Sequence, residues 1–319
     1  MNKKLNTPVL FLTFNRLDTT KQVFFAISKA KPPRLYVASD GTRDKVDGEK
    51  DRVDAVRDYI LNNIDWDCEV KTLFRDKNLG CKIAVSEAIT WFFNNEEQGI
   101  ILEDDCLPDQ SFFYFCEELL EKYKDDDRIG IISGDNFNEE KIGDADYYFK
   151  KIPHIWGWAT WKRVWDKYDV AMQDYPDFKK NDRIKSVWSD KRIQKYWIDI
   201  FNRTYKDEIN SWAYRLTFQF FNKNILSVCS NVNLVRNLGF GDGSTNTLID
   251  LGGVSKIDVY SLSFPLKHPD NIVYKENNDF YINEKLSKLF YIKNFFKKIG
   301  LFSLFKNIYK YALSCLRKK

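Results

Sequence analysis

The chain reads as an α/β protein: a mixed, mainly parallel central sheet flanked by helices, with an amphipathic helical tail at the C-terminus. Three observations predict this. Short apolar runs rich in β-branched and aromatic residues alternate with stretches of helical period through the first half of the chain. The 319 residues are 44% hydrophobic and 16% aromatic, enough for one domain to bury a core without disulfides. No Ser-, Pro- or Gly-rich stretch separates two halves. The expected division is one α/β domain over residues 1–265 and a basic extension over 266–319.

The elements follow in order. Residues 9–14, VLFLTF, form a buried strand that ends at Asn15 and Arg16. Residues 19–30 have helical period and stop at Pro32 and Pro33. Residues 35–39 are a second strand, closed by the turn pair Asp40-Gly41. The unit then repeats, with helical period over 51–60, a strand over 68–74, helical period over 82–94 and a strand over 99–102. Residues 111–124 read as a helix and 129–133 as a strand. Residues 155–165 read as an ordered Trp- and Gly-rich loop leading into a helix, 175–206 as helical, and 228–238 as extended segments before the flexible Gly-rich stretch 239–243.

Six cysteines fall singly at Cys68, Cys81, Cys106, Cys116, Cys229 and Cys315. They lack the paired spacing of a zinc site and read as reduced core residues. The formal charge of +4 is concentrated at the end: no acid follows Glu284, whereas ten lysines and arginines do. No leader or membrane-spanning run is expected, so the reading is of a cytoplasmic protein held peripherally at the inner face of the cell membrane.

In an open α/β sheet, ligands bind beyond the carboxyl ends of the strands, so Asn15, Asp40 and the run Glu103-Asp104-Asp105 should converge on one crevice. Three adjacent carboxylates repel one another. Such crowding suits a hard divalent cation, magnesium or manganese, that also bridges phosphate oxygens. The plain alternative is a solvated turn, the reading given to Asp125-Asp126-Asp127 after a helix rich in charge.

The segment ILEDDCLPDQSFFYF, preceded by a strand ending FNR and a strand ending SDG, resembles the GT-A (Rossmann-like) glycosyltransferases. With the motif WGWATW at 156–161 and NLVRNLGF at 233–240, the chain is similar to the family of the eukaryotic N-acetylglucosaminyltransferase that initiates complex N-glycans. Its bacterial, haemolytic-protein-like branch is the nearer likeness, and the resemblance covers roughly residues 8 to 247.

That resemblance implies a metal-dependent, inverting transfer of a sugar from a nucleoside-diphosphate donor, with a UDP-sugar expected first. It places Asn15 and Arg16 by the nucleotide, Asp40 on the base, Lys82 at the diphosphate, Asp105 on the metal, and Glu103 and Asp104 on the ribose or donor sugar. An inverting enzyme needs a general base. The family has an acid where this chain has Asn210, so Glu208 is expected to serve, with Asp207 and Asp135 as alternatives, or the protein is catalytically impaired.

Trp156, Gly157 and Trp158 offer aromatic faces to a sugar ring, or simply cap a core. Trp212 and Arg215 would line the acceptor site. His154 reads as a structural histidine, and His268 has no assigned role.

In the tail, apolar residues from Leu289 to Leu316 recur near helical spacing among lysines. A basic amphipathic helix of this kind lies on an anionic membrane surface, or packs on its own domain. A membrane address suits a glycan or lipid-linked glycan acceptor of a surface polysaccharide such as capsule or O-antigen. Nucleic acid is a poor partner, because no recognition motif accompanies the basic residues. Two rivals remain: a non-catalytic sugar-binding or membrane-active protein, and a sugar-phosphate nucleotidyltransferase. The latter should carry a Gly-rich loop after the first strand, where this chain has Thr13-Phe14-Asn15-Arg16.

Overall fold

A computed structural model describes residues 4–138, 140–240 and 257–279, together with 283, 290–292 and 298. The first half runs β1 (Val9–Thr13), α1 (Leu17–Ala30), β2 (Arg34–Ser39), α2 (Glu49–Asn62), β3 (Glu69–Phe74), α3 (Gly80–Phe93) and β4 (Gln98–Glu103). Next come β5 (Cys106–Pro108), α4 (Gln110–Lys122), β6 (Ile129–Ser133), β7 (Tyr147–Lys150), β8 (Trp158–Trp161) and α5 (Lys162–Trp165). The chain continues with α6 (Tyr175–Lys180), α7 (Ile184–Val187), α8 (Lys191–Tyr205), α9 (Ala213–Lys223), β9 (Leu226–Ser230) and β10 (Val235–Asn237).

Eight strands form one sheet in the order β3-β2-β1-β4-β8-β6-β9-β7. β3, β2, β1 and β4 are parallel. β1 is buried along its whole length, as an apolar run covered by helices on both faces must be. α1 ends where Lys31 takes the left-handed conformation and Pro32-Pro33 removes donors for a further turn. α4 begins at Asp109, whose side chain accepts the Ser111 N–H. The mixed, mainly parallel sheet flanked by helices is therefore the one the sequence predicts.

The second half differs from expectation. Trp158–Trp161 is not a loop but β8, which runs antiparallel between β4 and β6 and joins the two halves of the sheet. Gly157 enters it with φ +69, and an added Cβ would lie 2.8 Å from Val235 Cγ2. The aromatic content of the segment thus belongs to a buried strand: Trp158 is 1% exposed and stacks on Trp212 at 5.7 Å. The expected helical region 175–206 is divided into α6, α7 and α8, while β5, β7 and α9 carry no clear sequence signal.

Cys106, Cys116 and Cys229 are buried as expected, but Cys68 and Cys81 only partly so. From residue 266 to 279 the chain is an extended strap, with one 3-10 turn at Glu276–Asp279, packed on the same sheet, and residues 290–292 are helical. Asp146 donates its N–H to Lys267 O at 2.9 Å and accepts the Lys267 N–H on its carboxylate Oδ2 at 2.7 Å, and Asn278 Nδ2 donates to Phe149 O at 2.7 Å. Most of the expected helix over 286–316 lies outside the described residues; within it, Phe290 packs on Tyr196 of α8.

Because Trp158 fills the joint between the two halves, Trp158→Ala should cost about 3–5 kcal/mol and lower Tm by roughly 10 °C. A thermal melt close to wild type would mean that the indole does not fill the core.

Candidate functional site

The parallel strands set the site. In the order β3-β2-β1-β4 the chain reverses its direction of winding at β1, so the crevice opens between the carboxyl ends of β1 and β4. β1 delivers Phe14-Asn15-Arg16 there, and β4 delivers Glu103-Asp104-Asp105. Arg16 Nη2 lies 2.6 Å from Asp104 Oδ1 and 2.9 Å from Asp105 Oδ2. The other oxygen of Asp104 accepts the Phe14 N–H at 3.2 Å. The crowded acids are thus partly offset by an arginine from the neighbouring strand end.

Burial pushes Glu103 up to about 8, with Asp105 and Asp104 adding to the effect. Asp104 is raised as well, by burial and by Asp105, against the pull of Arg16. Burial alone would lower the Arg16 guanidinium, but the two aspartates outweigh it and hold it above its usual range. The run therefore holds its negative charge under strain, and Asp105 is more open than Asp104, its side chain being 15% exposed against 5%.

Asp105 is built in from the far side by a two-stranded sheet. β10 pairs antiparallel with β5, and Leu238 N donates to Asp105 O at 2.7 Å. A Cβ on Gly239 would stand 2.1 Å from Asp105 Oδ2, so only a glycine lets the backbone pack this closely on the carboxylate, whose other oxygen accepts from Cys106 Sγ at 3.4 Å. Among the described residues no three His, Cys, Asp or Glu side chains gather as a metal cluster. A hard divalent cation still fits the donor chemistry: one open carboxylate, with diphosphate and water oxygens to complete the shell.

The remaining sequence-predicted residues fall into three groups. Asn15 turns to α2, where its Nδ2 donates to Glu49 Oε1 at 2.9 Å; Glu49 is fully buried and also paired with Arg43. Asp40 accepts the N–H groups of Gly41, Leu79 and Gly80 at 2.9–3.0 Å and so caps α3. The carboxylate expected on a base is taken up by the backbone.

A second group sits at the loop before α9. Lys82 Nζ lies 2.7 Å from Asp207 Oδ1, and Arg215 Nη2 lies 2.6 Å from the same oxygen. The Lys82 contact holds the Asp207 carboxyl below its usual range. Arg215 is 3% exposed and donates to the carbonyls of Val170, Thr204 and Ser211. This corrects its expected place in an acceptor site: the guanidinium is a buried pin for backbone oxygens. Trp212 is corrected likewise, being 2% exposed and stacked on Trp158, so neither indole presents a face to a ligand. Glu208 lies on the surface beside Arg203, 3.7 Å away.

The third group lies beyond β6. Trp156 is half-buried and packs edge-on against Phe137 and Phe240. Asp135 follows Gly134 and is 1% exposed, with Oδ2 3.1 Å from His154 Nδ1. Its Oδ1 has no hydrogen-bond partner among the described residues. β6 runs parallel to β4 through the intervening antiparallel β8, so Asp135 emerges at the same end of the sheet as Asp105. Two strand spacings separate them, about 10 Å.

Sequence reasoning missed Arg43, Glu49 and Lys150. The signal for Glu49 was faint, since a carboxylate opening a helix is ordinarily solvated; only the fold shows that it is enclosed.

The raised acids fix a pH dependence. A carboxyl whose folded value lies above its unfolded one stabilises the fold at low pH and loses that contribution as pH rises through the folded value. Between about pH 4.5 and 8 the cation-free protein should lose roughly 1.4 kcal/mol per pH unit through Glu103, about 3 °C in Tm. Glu103→Gln should flatten this slope in melts taken across the window; an unchanged slope would remove Glu103 as its source.

No protein-family model matches the chain, and no curated protein matches it in sequence. Among solved structures it is similar to the mannosyltransferase PcManGT from Pyrobaculum calidifontis, in complex with GDP-Man and Mn2+, at 16% identity and TM-score 0.30. That alignment covers 41% of this chain and 36% of the mannosyltransferase, so only about a third of the latter is spanned. HddC from Yersinia pseudotuberculosis aligns at 12% identity and TM-score 0.32, over 51% of this chain and 80% of its own. The 4-diphosphocytidyl-2C-methyl-D-erythritol synthase from Anaerococcus prevotii aligns at 12% identity and TM-score 0.35, over 56% and 84%.

Proposed function

We propose that the protein is a metal-dependent, inverting glycosyltransferase that moves a sugar from a nucleoside-diphosphate donor, a UDP-sugar first among candidates, onto a growing surface glycan. The observation that carries this reading is the partly exposed Asp105 carboxylate, paired with Arg16 at the β1–β4 crevice and packed against Gly239. A divalent cation held by Asp105 would offset charge on the departing diphosphate.

The chain's own residues do the rest. Arg16, fixed by Asp104, presents a guanidinium suited to phosphate oxygens without needing to find its orientation on binding. Glu103 and Asp104 border the donor's ribose or sugar. Trp156 offers the acceptor an aromatic wall.

Asp135 is the base in this reading. It emerges at the crevice end of the sheet with one oxygen held by His154 and the other unpaired, whereas Asp207 is committed to two cations and Glu208 faces solvent. The acceptor hydroxyl would give its proton to Asp135 as its oxygen bonds the anomeric carbon and the bond to the diphosphate breaks. Because Asp135 is buried, the acceptor must displace neighbouring side chains, Phe137 and Trp156 among them.

No described helix is long and apolar enough to cross a membrane. The basic tail is proposed to hold the enzyme peripherally at the inner, anionic face of the cell membrane, near a lipid-linked acceptor.

A non-catalytic sugar-binding protein is the second reading, favoured by Asn210 and by the exposure of Glu208. Two measurements separate the readings. With manganese, one of the UDP-, GDP-, CMP- or dTDP-sugars should raise Tm by several degrees at saturation, and Asp105→Ala should abolish the rise. No stabilisation by any donor would overturn the enzyme reading. Asp135→Asn should keep the donor-induced rise but release nucleoside diphosphate roughly 100-fold more slowly or worse; full turnover in that variant would remove Asp135 as the base.

A further inference from the structure

Four ionisable side chains lie buried together away from the acid run. Lys150 ends β7 and is 2% exposed; His154, on the way to β8, is 7%; Asp135, after β6, is 1%; and Asp279, in the 3-10 turn of the C-terminal strap, is 1%. Isolated charges at such depth cost several kcal/mol each, so the arrangement persists only if the groups answer one another.

They do so in a chain. Asp279 accepts the N–H groups of Lys151 at 2.8 Å and Ile152 at 3.3 Å, and lies close enough for the charges of Lys150 and His154 to act on its carboxylate. Lys150 Nζ sits against the imidazole of His154, 2.7 Å from Nε2 and 2.9 Å from Nδ1. His154 Nδ1 is 3.1 Å from Asp135 Oδ2. An ammonium can only donate and a carboxylate can only accept. Nδ1 also lies 3.4 Å from the backbone O of Asp135; that carbonyl and the carboxylate can only accept, so Nδ1 carries the hydrogen directed at Asp135, and Nε2, the ring nitrogen nearer Lys150, carries none.

The other groups facing this chain are accounted for. Cys229 Sγ donates to Asp135 O at 3.4 Å, and Tyr148 OH donates to Asn136 Oδ1 at 3.1 Å. Burial holds Tyr274 protonated beside Asp279, and holds Cys106 protonated beside Asp105, to whose Oδ1 its Sγ donates at 3.4 Å. None of them supplies a partner for Asp135 Oδ1.

We propose that Asp279 is a positioning residue for Asp135. By holding the Lys151–Ile152 backbone next to Lys150, it fixes the lysine that packs on the ring of His154, and that ring in turn lies against one oxygen of Asp135 and leaves the other for an acceptor hydroxyl. The inference rests on the reading of Asp135 as the base. It makes docking of the C-terminal strap a condition of base geometry.

Only two histidines are present, so imidazole 15N spectra of the histidine-labelled full chain are simple, and His268→Gln assigns them. Near neutral pH His154 should be the Nδ1–H tautomer, the opposite of the form free histidine prefers. Asp279→Asn should mix the tautomers of His154 and lower the turnover of a UDP-sugar with manganese at least about tenfold, leaving the donor KM unchanged. Asp279→Glu should recover part of both. Should Asp279→Asn not fold, Lys150→Met tests the same link, because it removes the donor to Nε2 while leaving the strap's backbone contacts in place.

An Nε2–H tautomer in the wild type would overturn the proposal. So would an Asp279→Asn or Lys150→Met protein with unchanged imidazole signals and unchanged turnover. If the wild type turns over no donor, the enzyme reading fails by itself, and the imidazole spectra still decide whether the strap orients His154 and Asp135.

Discussion

Arg16 reaches from the end of β1 to two carboxylates at the end of β4, and the candidate site depends on that reach. Three consecutive acids at the mouth of a hydrophobic sheet are unfavourable alone, as the upward displacement of Glu103 and Asp104 records. One guanidinium, itself partly desolvated, makes the run tolerable without quenching it. Asp104 is absorbed into the pair, while Asp105 keeps an open side toward the crevice. The same contact holds the ends of the two strands in register, so charge balance and crevice shape are a single constraint.

The second half of the chain is arranged around that end of β4. β8 runs against β4 and carries Trp158 into the core, which ties the parallel half to β6. β10 closes on β5 and brings Gly239 beside Asp105. Backbone bonds from Gly134 to Gly157 and from Leu234 to Gly134 tie the end of β6 to the approach to β8 and to the segment before β10. Asp135 and Asp105 are consequently placed by a common scaffold rather than by two independent loops.

Several polar residues that sequence chemistry marks as ligand contacts are committed instead to other groups of the protein, backbone groups above all. Asp40 caps α3, Arg215 gathers three carbonyls, and Asp207 shares one oxygen between two cations. The reason is general: a buried N–H or C=O left unpaired costs as much as many ligand contacts gain, so loops around a crevice recruit nearby charged side chains to satisfy it. Such residues still bear on function, because the loops they hold define the walls of the site.

The parallel half was legible in the amino-acid order, because its strands are continuous apolar runs separated by helical period and ended by Pro, Gly and Asp. The crevice was legible too, since the carboxyl ends of parallel strands necessarily share one end of the sheet, and Arg16 and the acid run lie there. β8 was hidden because WATW is short and its flanking Trp and Gly suit a loop equally well; only pairing with β4 and β6 makes it a strand. The burial of Trp212 and Arg215, the commitment of Asp40, and the meeting of Asp135, His154, Lys150 and Asp279 were beyond any sequence pattern. Those four residues come from three separate stretches of the chain, and whether each is solvated or enclosed depends on long-range packing that local spacing does not encode.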